Sequence, residues 1–169
     1  IWKLFGEDWA VMFTDLSGFS KIGREYGYLY ALEKVYISHL IQYRAIGNND
    51  GTITEMPGDG LVVVFRQPEL AVKAAIEMMQ AAKRYNALIS NPKQQVHIHV
   101  GIGYGRMLAL QDKKLFGNEI NSAANLLEEA KADEIAVSKS VHDNVPANEL
   151  FAYSPYFKEE GGYYKVQYK

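Results

Sequence analysis

Asp15 in FTDLSGFS (13–20) and Asp59 in TITEMPGDGLVVVF (52–65) are the two residues of this chain whose type and setting best suit chemistry. Each carboxylate lies where an apolar run meets a glycine turn: Asp15 before Ser17 and Gly18, Asp59 between Gly58 and Gly60. Taken singly, an aspartate before a turn is commonly a cap, and PGDG is an ordinary turn. Together they make a different proposition. Two carboxylates carried on adjacent strands can hold two magnesium ions whose shells are completed by substrate phosphates. Such a pair suits phosphoryl or nucleotidyl transfer, with an attacking hydroxyl activated and a leaving pyrophosphate neutralised. His97 and His99 in QVHIHVGIGYG are a second candidate pair, since strand alternation puts them on one face. They lack a third ligand and read as packed or solvent-facing.

These residues need elements to position them. DWAVMFTDL (8–16) reads as a buried strand ending at Asp15, and residues 29–46 read as a helix. Leu29, Leu32, Tyr36, Leu40 and Tyr43 recur at helical spacing along it, and that stripe is expected to face the core. Residues 51–65 read as a hairpin around PGDG. Pro68 opens a helix running to about Leu88. A strand containing His97 and His99 follows, then a helix over 117–130, a short strand EIAVS, a helical turn SVHDNV, and two closing strands FAYSPYF and YYKVQY. Helices alternating with strands that include hairpins indicate an α+β domain rather than a doubly wound parallel sheet.

The bulk numbers agree with one domain spanning 1–169, because a chain of 169 residues with 48% hydrophobic residues can bury one sizeable core. Eighteen basic residues against twenty acidic ones give a formal charge of −2. That balance argues against a nucleic-acid footprint or a polybasic membrane surface, so phosphate must be met locally. The absence of cysteine excludes disulfides, thiolate zinc sites and cysteine nucleophiles. No apolar run approaches the ~18 residues of a membrane span, and the expected setting is cytoplasmic, with no membrane contact by this segment.

FTDLSGFS, GTITEMPGDGLVVVF and GNEINSAANLL, in that order, resemble the catalytic domain of class III adenylate and guanylate cyclases. The similarity runs from about Trp9 to Val145. It implies a ferredoxin-like nucleotidyl cyclase fold with a central, mostly antiparallel sheet and helices packed on it. It also implies a homodimer with two composite sites. In each, Asp15, Asp59 and the backbone of Leu16 match the metal-binding set, holding two Mg²⁺ or Mn²⁺ ions that ready the ribose 3′-hydroxyl for in-line attack on the α-phosphate.

The same resemblance makes Glu55 and Lys114 the base-reading pair. Adenylate cyclases of this type usually carry lysine at the first position and guanylate cyclases glutamate. An ionised carboxylate only accepts hydrogen bonds, so Glu55 suits the N1 and N2 donors of guanine and is mismatched to the bare N1 of adenine. Lys114 fits neither family pattern; it can donate to guanine O6 or pair with Glu55. Asn121 matches the asparagine that orients the ribose. Asn125 stands where the family has an arginine on the transition-state phosphate. For the family's triphosphate-binding lysine the sequence offers Lys158 and Lys165. Two functions follow: a nucleotidyl cyclase acting on a nucleoside triphosphate with GTP ahead of ATP, or a cyclase-like regulatory domain that binds metal or nucleotide with little turnover.

Overall fold

A computed structural model describes residues 6–109, 115–156 and 162–169. The strands are β1 (Gly6–Leu16), β2 (Thr52–Glu55), β3 (Leu61–Phe65), β4 (Ile98–Ala109), β5 (Leu115–Phe116), β6 (Ile135–Val137), β7 (Phe151–Tyr156) and β8 (Tyr163–Tyr168). The helices are α1 (Phe19–Tyr26), α2 (Tyr28–Asn48), α3 (Pro68–Ala87), α4 (Asn118–Glu129) and α5 (Lys139–Asn144). The strands form one sheet in the order β2-β3-β1-β4-β6-β8-β7, with β5 paired to β4. Among the described residues only the β4–β6 pairing is parallel, and α4 makes that crossover. The first four strands with α2 and α3 give the ferredoxin-like order expected from the sequence.

Period-2 alternation sorts β1 between the two faces of the sheet. Ala10, Met12 and Leu16 join the main core with Leu61, Val63 and Phe65 of β3 and the alanine- and methionine-rich face of α3. Val11 points the other way, into a smaller cluster with Val62, Val64, Met107 and Ala123, against which Phe13 packs. β3, buried along its whole length, reads as an unbroken apolar run for that reason.

One sequence expectation is overturned. The apolar stripe of α2 does not face the core: Leu29 is 82% exposed, Tyr36 65% and Leu40 52%. The buried face carries Ala31, Lys34, Ser38, Gln42, Ala45 and Ile46 instead. Small and polar side chains sit inward there because they have partners. Gln42 donates to Ser38 Oγ (2.8 Å) and accepts from Thr14 Oγ1 (2.6 Å), and Lys34 Nζ donates to the Lys93 carbonyl (3.0 Å). Helical spacing shows that a helix has an apolar face but not what covers it.

Candidate active site

Asp15 and Asp59 are brought together by a buried polar relay. Thr14, 2% exposed, donates to Gln42 and accepts from Leu61 N–H (3.1 Å), tying β1, α2 and the start of β3 at one point. Breaking it leaves a buried partner unsatisfied, a cost of about 1–3 kcal/mol. The glycines of PGDG act beside it. Gly58 has φ +62°, the left-handed region that favours glycine. A Cβ on Gly60 would run into the Thr14 carbonyl, so the close approach that glycine permits here is to β1 of the same chain. The turn thus lays Asp59 against the end of β1, where Leu16 N–H donates to Asp59 Oδ2 (3.4 Å).

The pair is electrostatically unfinished. Burial, and then the neighbouring Asp15 carboxyl, push the Asp59 carboxyl up to about 6. Both line an open cavity of about 350 Å³ with Leu16, Gly18 and His99, and Lys21 and Arg24 of α1 line it too. Among the described residues no three acidic or histidine side chains form a chelating group. The protein therefore offers two hard oxygen donors, which suits a magnesium-type ion completed by phosphate and water.

That geometry fixes a pH dependence. A carboxyl whose folded pKa lies above its unfolded value favours the metal-free fold while protonated, and the contribution is lost as pH rises through about 6. Metal binding needs the ionised form. Mg²⁺ or Mn²⁺ should therefore raise the melting temperature more at about pH 7.5 than at about pH 5. Asp59→Asn should abolish that metal effect while melting at or above the parent without metal at the higher pH. Equal metal stabilisation of parent and Asp59→Asn in thermal melts would remove the pair as the metal site.

The histidines separate. His97 pairs with Asp133 (2.7 Å). His99, opposite Asp15 in the β1–β4 register, places Nδ1 at 3.0 Å from Ser17 Oγ and Nε2 at 3.8 Å from Asp15 Oδ2. Burial lowers its pKa, with the Asp59 charge opposing. Sequence reasoning missed His99 as a neighbour of the acids. The signal was the register of two strands more than eighty residues apart, which local pattern does not encode.

The remaining sequence-predicted residues lie elsewhere. Glu55, exposed at the end of β2, borders a depression of about 110 Å³ with Thr54, Phe13, Val62, Leu115 and Ile120. Asn121 and Asn125 are exposed on α4, one turn apart. α4 is seated by three glycines of β4: a Cβ at Gly101 would strike the Ala123 carbonyl, one at Gly103 would lie 2.6 Å from the Glu119 carbonyl, and one at Gly105 2.7 Å from Glu119 Cγ. Asn125 lines a third cavity, of about 440 Å³. Lys114 and Lys158 lie outside the described residues. Lys165 pairs with Glu134 (2.7 Å) and borders a different cavity, with Lys83 and Asp133. Within one protomer the Asp15–Asp59 pair, Glu55 and Asn125 thus line three separate depressions.

Residues 6–160 match the family model of the adenylate and guanylate cyclase catalytic domain. Over 100 residues the chain is 29% identical to a Rhizobium meliloti protein provisionally named adenylate cyclase 3, a match covering 59% of this chain and 17% of that one. The chain spans between 17% and 26% of the lengths of the curated relatives it matches. In structure it resembles the adenylyl cyclase CyaB from P. aeruginosa, with a TM-score of 0.79, 19% identity, and coverage of 97% of this chain and 95% of that one. It also resembles the guanylate cyclase domain of RhGC from Catenaria anguillulae, solved in complex with GTP, with a TM-score of 0.78, 20% identity, and coverage of 96% and 97%.

Proposed function

The chain belongs to the family of adenylate and guanylate cyclase catalytic domains, and we propose that it is a nucleotidyl cyclase. It converts a nucleoside triphosphate, GTP in preference to ATP, to a 3′,5′-cyclic monophosphate and pyrophosphate. Residues 1–169 act as one catalytic domain, and the active unit is a homodimer. The observation that carries this reading is the Asp15–Asp59 pair, two carboxylates pressed together at strand ends with the Asp59 pKa raised to about 6. Once both carboxylates are ionised they repel, and a bound cation relieves that cost.

Asp15 and Asp59, with the backbone of Leu16, hold the divalent ions. Bound there, Mg²⁺ or Mn²⁺ activates the ribose 3′-hydroxyl and neutralises the departing pyrophosphate. Lys21 and Arg24, at the same cavity, face the phosphates. Asn121 orients the ribose, and Asn125 beside it offers an amide to the phosphate without charge. Removing one charged or hydrogen-bonding group from a transition state typically costs about 10²–10³ in rate. Asn125 is therefore the observation that favours the second reading, a cyclase-like regulatory domain with little turnover. Incubating the protein with each of the four nucleoside triphosphates and Mn²⁺ or Mg²⁺, and reading cyclic product by mass spectrometry, separates the two.

Dimerisation is supported by two features. The separate depressions of one protomer leave Asp15 and Asp59 apart from Asn125, whose helix α4 also carries Asn121. The exposed stripe of α2, extended by Met56 against Tyr43, is an apolar surface of the kind that another chain covers. Burying one such side chain gains about 1.5–3 kcal/mol, so several together offset much of an association cost of about 4–15 kcal/mol.

Glu55 sets the base. A carboxylate facing adenine N1 opposes acceptor to acceptor, and the unmatched polar group costs about 1–3 kcal/mol, or roughly 5- to 150-fold in a GTP/ATP competition. Glu55→Lys should move preference toward ATP. Glu55→Lys with Lys114→Asp should move it further, by removing like-charge repulsion and adding an acceptor for the adenine amino group. Equal use of both nucleotides by the parent, unchanged in the two variants, would place the base elsewhere.

A further inference from the structure

We propose that Lys139 supplies the positive charge that Asn125 does not, contacting the substrate's phosphates across the cavity the two residues share; this rests on the cyclase reading above. The cavity, about 440 Å³, has Ser122 and Asn125 of α4 on one side and Ser138, Lys139 and Ser140, where β6 passes into α5, on the other. Lys139 is the only cationic side chain among the described residues that line it. Its side chain is 71% exposed, and its ion partner is Asp143, one turn along α5. An exposed i,i+4 pair is weak and competes little with a phosphate. A lysine is a compact charge on a flexible four-carbon stem, so it needs no bidentate alignment to reach a phosphate oxygen.

The neighbouring groups define what the cavity binds. Glu119 and Glu129 also line it, and burial raises the Glu119 pKa. A cavity with one lysine and two acids does not gather free anions. It suits a phosphate delivered by a nucleotide whose metals sit on Asp15 and Asp59. Lys165, the other described candidate, is committed to Glu134 in a different cavity. The position of Lys139 was invisible in the sequence because it lies in a segment that resembles nothing catalytic and reaches the Asn125 cavity only through the β4–β6 crossover.

The test compares the parent chain with Lys139→Ala, Lys139→Arg, Asp143→Ala, Asn125→Arg and the double variant Lys139→Ala with Asn125→Arg. Two readouts are used: cyclic-product rates, and calorimetric affinity for a 3′-deoxynucleoside triphosphate, which cannot cyclise. Lys139→Ala should lower kcat/KM by about 10²-fold and the affinity about tenfold, with weaker inhibition by pyrophosphate. Lys139→Arg should stay near the parent. Asp143→Ala, which removes only the ion partner, should match or exceed it. Adding Asn125→Arg to Lys139→Ala should restore at least about tenfold in rate, and more than Asn125→Arg adds to the parent, an excess that a merely structural lysine would not give. Parent-like rate and affinity in a folded Lys139→Ala overturn the inference and leave the cyclase reading standing. A parent that makes no cyclic product but binds the 3′-deoxynucleotide in a Lys139-dependent way overturns the cyclase reading and supports Lys139 as a phosphate contact. A parent that neither turns over nor binds overturns both.

Discussion

Asp59→Ala, and separately Asp15→Ala, should lower metal-dependent cyclisation by about 10³-fold or more while leaving the fold intact. Each removes a carboxylate of the proposed metal pair that its neighbours do not replace: His99, with Nδ1 at Ser17 and Nε2 3.8 Å from Asp15, brings no negative charge, and Lys21 and Arg24 have the wrong charge. Neither acid holds up the core. Asp15 has a side chain 40% exposed, and Asp59 lies half-buried in a turn held by the Thr14 relay rather than by its own carboxylate. Both variants should therefore melt at or above the parent temperature without metal, because the carboxylates repel when both are ionised. Initial rates with saturating Mn²⁺, paired with thermal melts, check both halves. Turnover at the parent rate in either variant would show that these acids do not hold the metals.

Mixing Asp59→Ala with Asn121→Ala should recover activity that neither shows alone. If each site takes its metal acids from one protomer and its ribose-orienting asparagine from the other, the mixed dimer has one site free of both lesions. Random exchange of equal amounts makes about half the dimers mixed, so roughly a quarter of the parent activity should return. The magnitude matters because a self-contained pocket predicts none. Heterodimers demonstrated by native mass spectrometry without any recovered turnover would exclude shared sites. A polar substitution on the α2 stripe, Leu29→Asp with Tyr36→Asp, gives an independent check. It should abolish the dimer and the activity together while sparing the monomer fold, since both side chains are exposed in the single chain.

Much of this was legible in the sequence because the informative residues act locally. Alternation in DWAVMFTDL, the PGDG turn and Pro68 at the start of α3 each fix an element through short-range backbone physics, and the elements form where those signals stand. The failures share the opposite property. Large apolar residues at helical spacing point the α2 stripe inward, whereas Ser38, Gln42 and Lys34 turn inward to partners within α2, on β1 and near α3 that no helical period reveals. His99 reached Asp15 through strand register, and Lys139 reached Asn125 through a parallel crossover. Long-range pairing, not residue chemistry, was the missing information.

The glycine seat under α4 has a further consequence for how the protein moves. Side chains between a helix and a sheet normally form a compliant layer that can repack by rotamer changes when a ligand arrives. At Gly101 and Gly103 that layer is missing, and the α4 backbone rests on the backbone of β4. That contact leaves helix and strand little room to shift against each other, and it ties Asn121 and Asn125 to the sheet centre. Adjustment to a bound ligand then falls to elements outside that seat, among them α1, which lines the Asp15–Asp59 cavity. Hydrogen exchange should show the contrast directly: slow, coincident exchange for central β4 and α4 amides, and fast, ligand-sensitive exchange for α1.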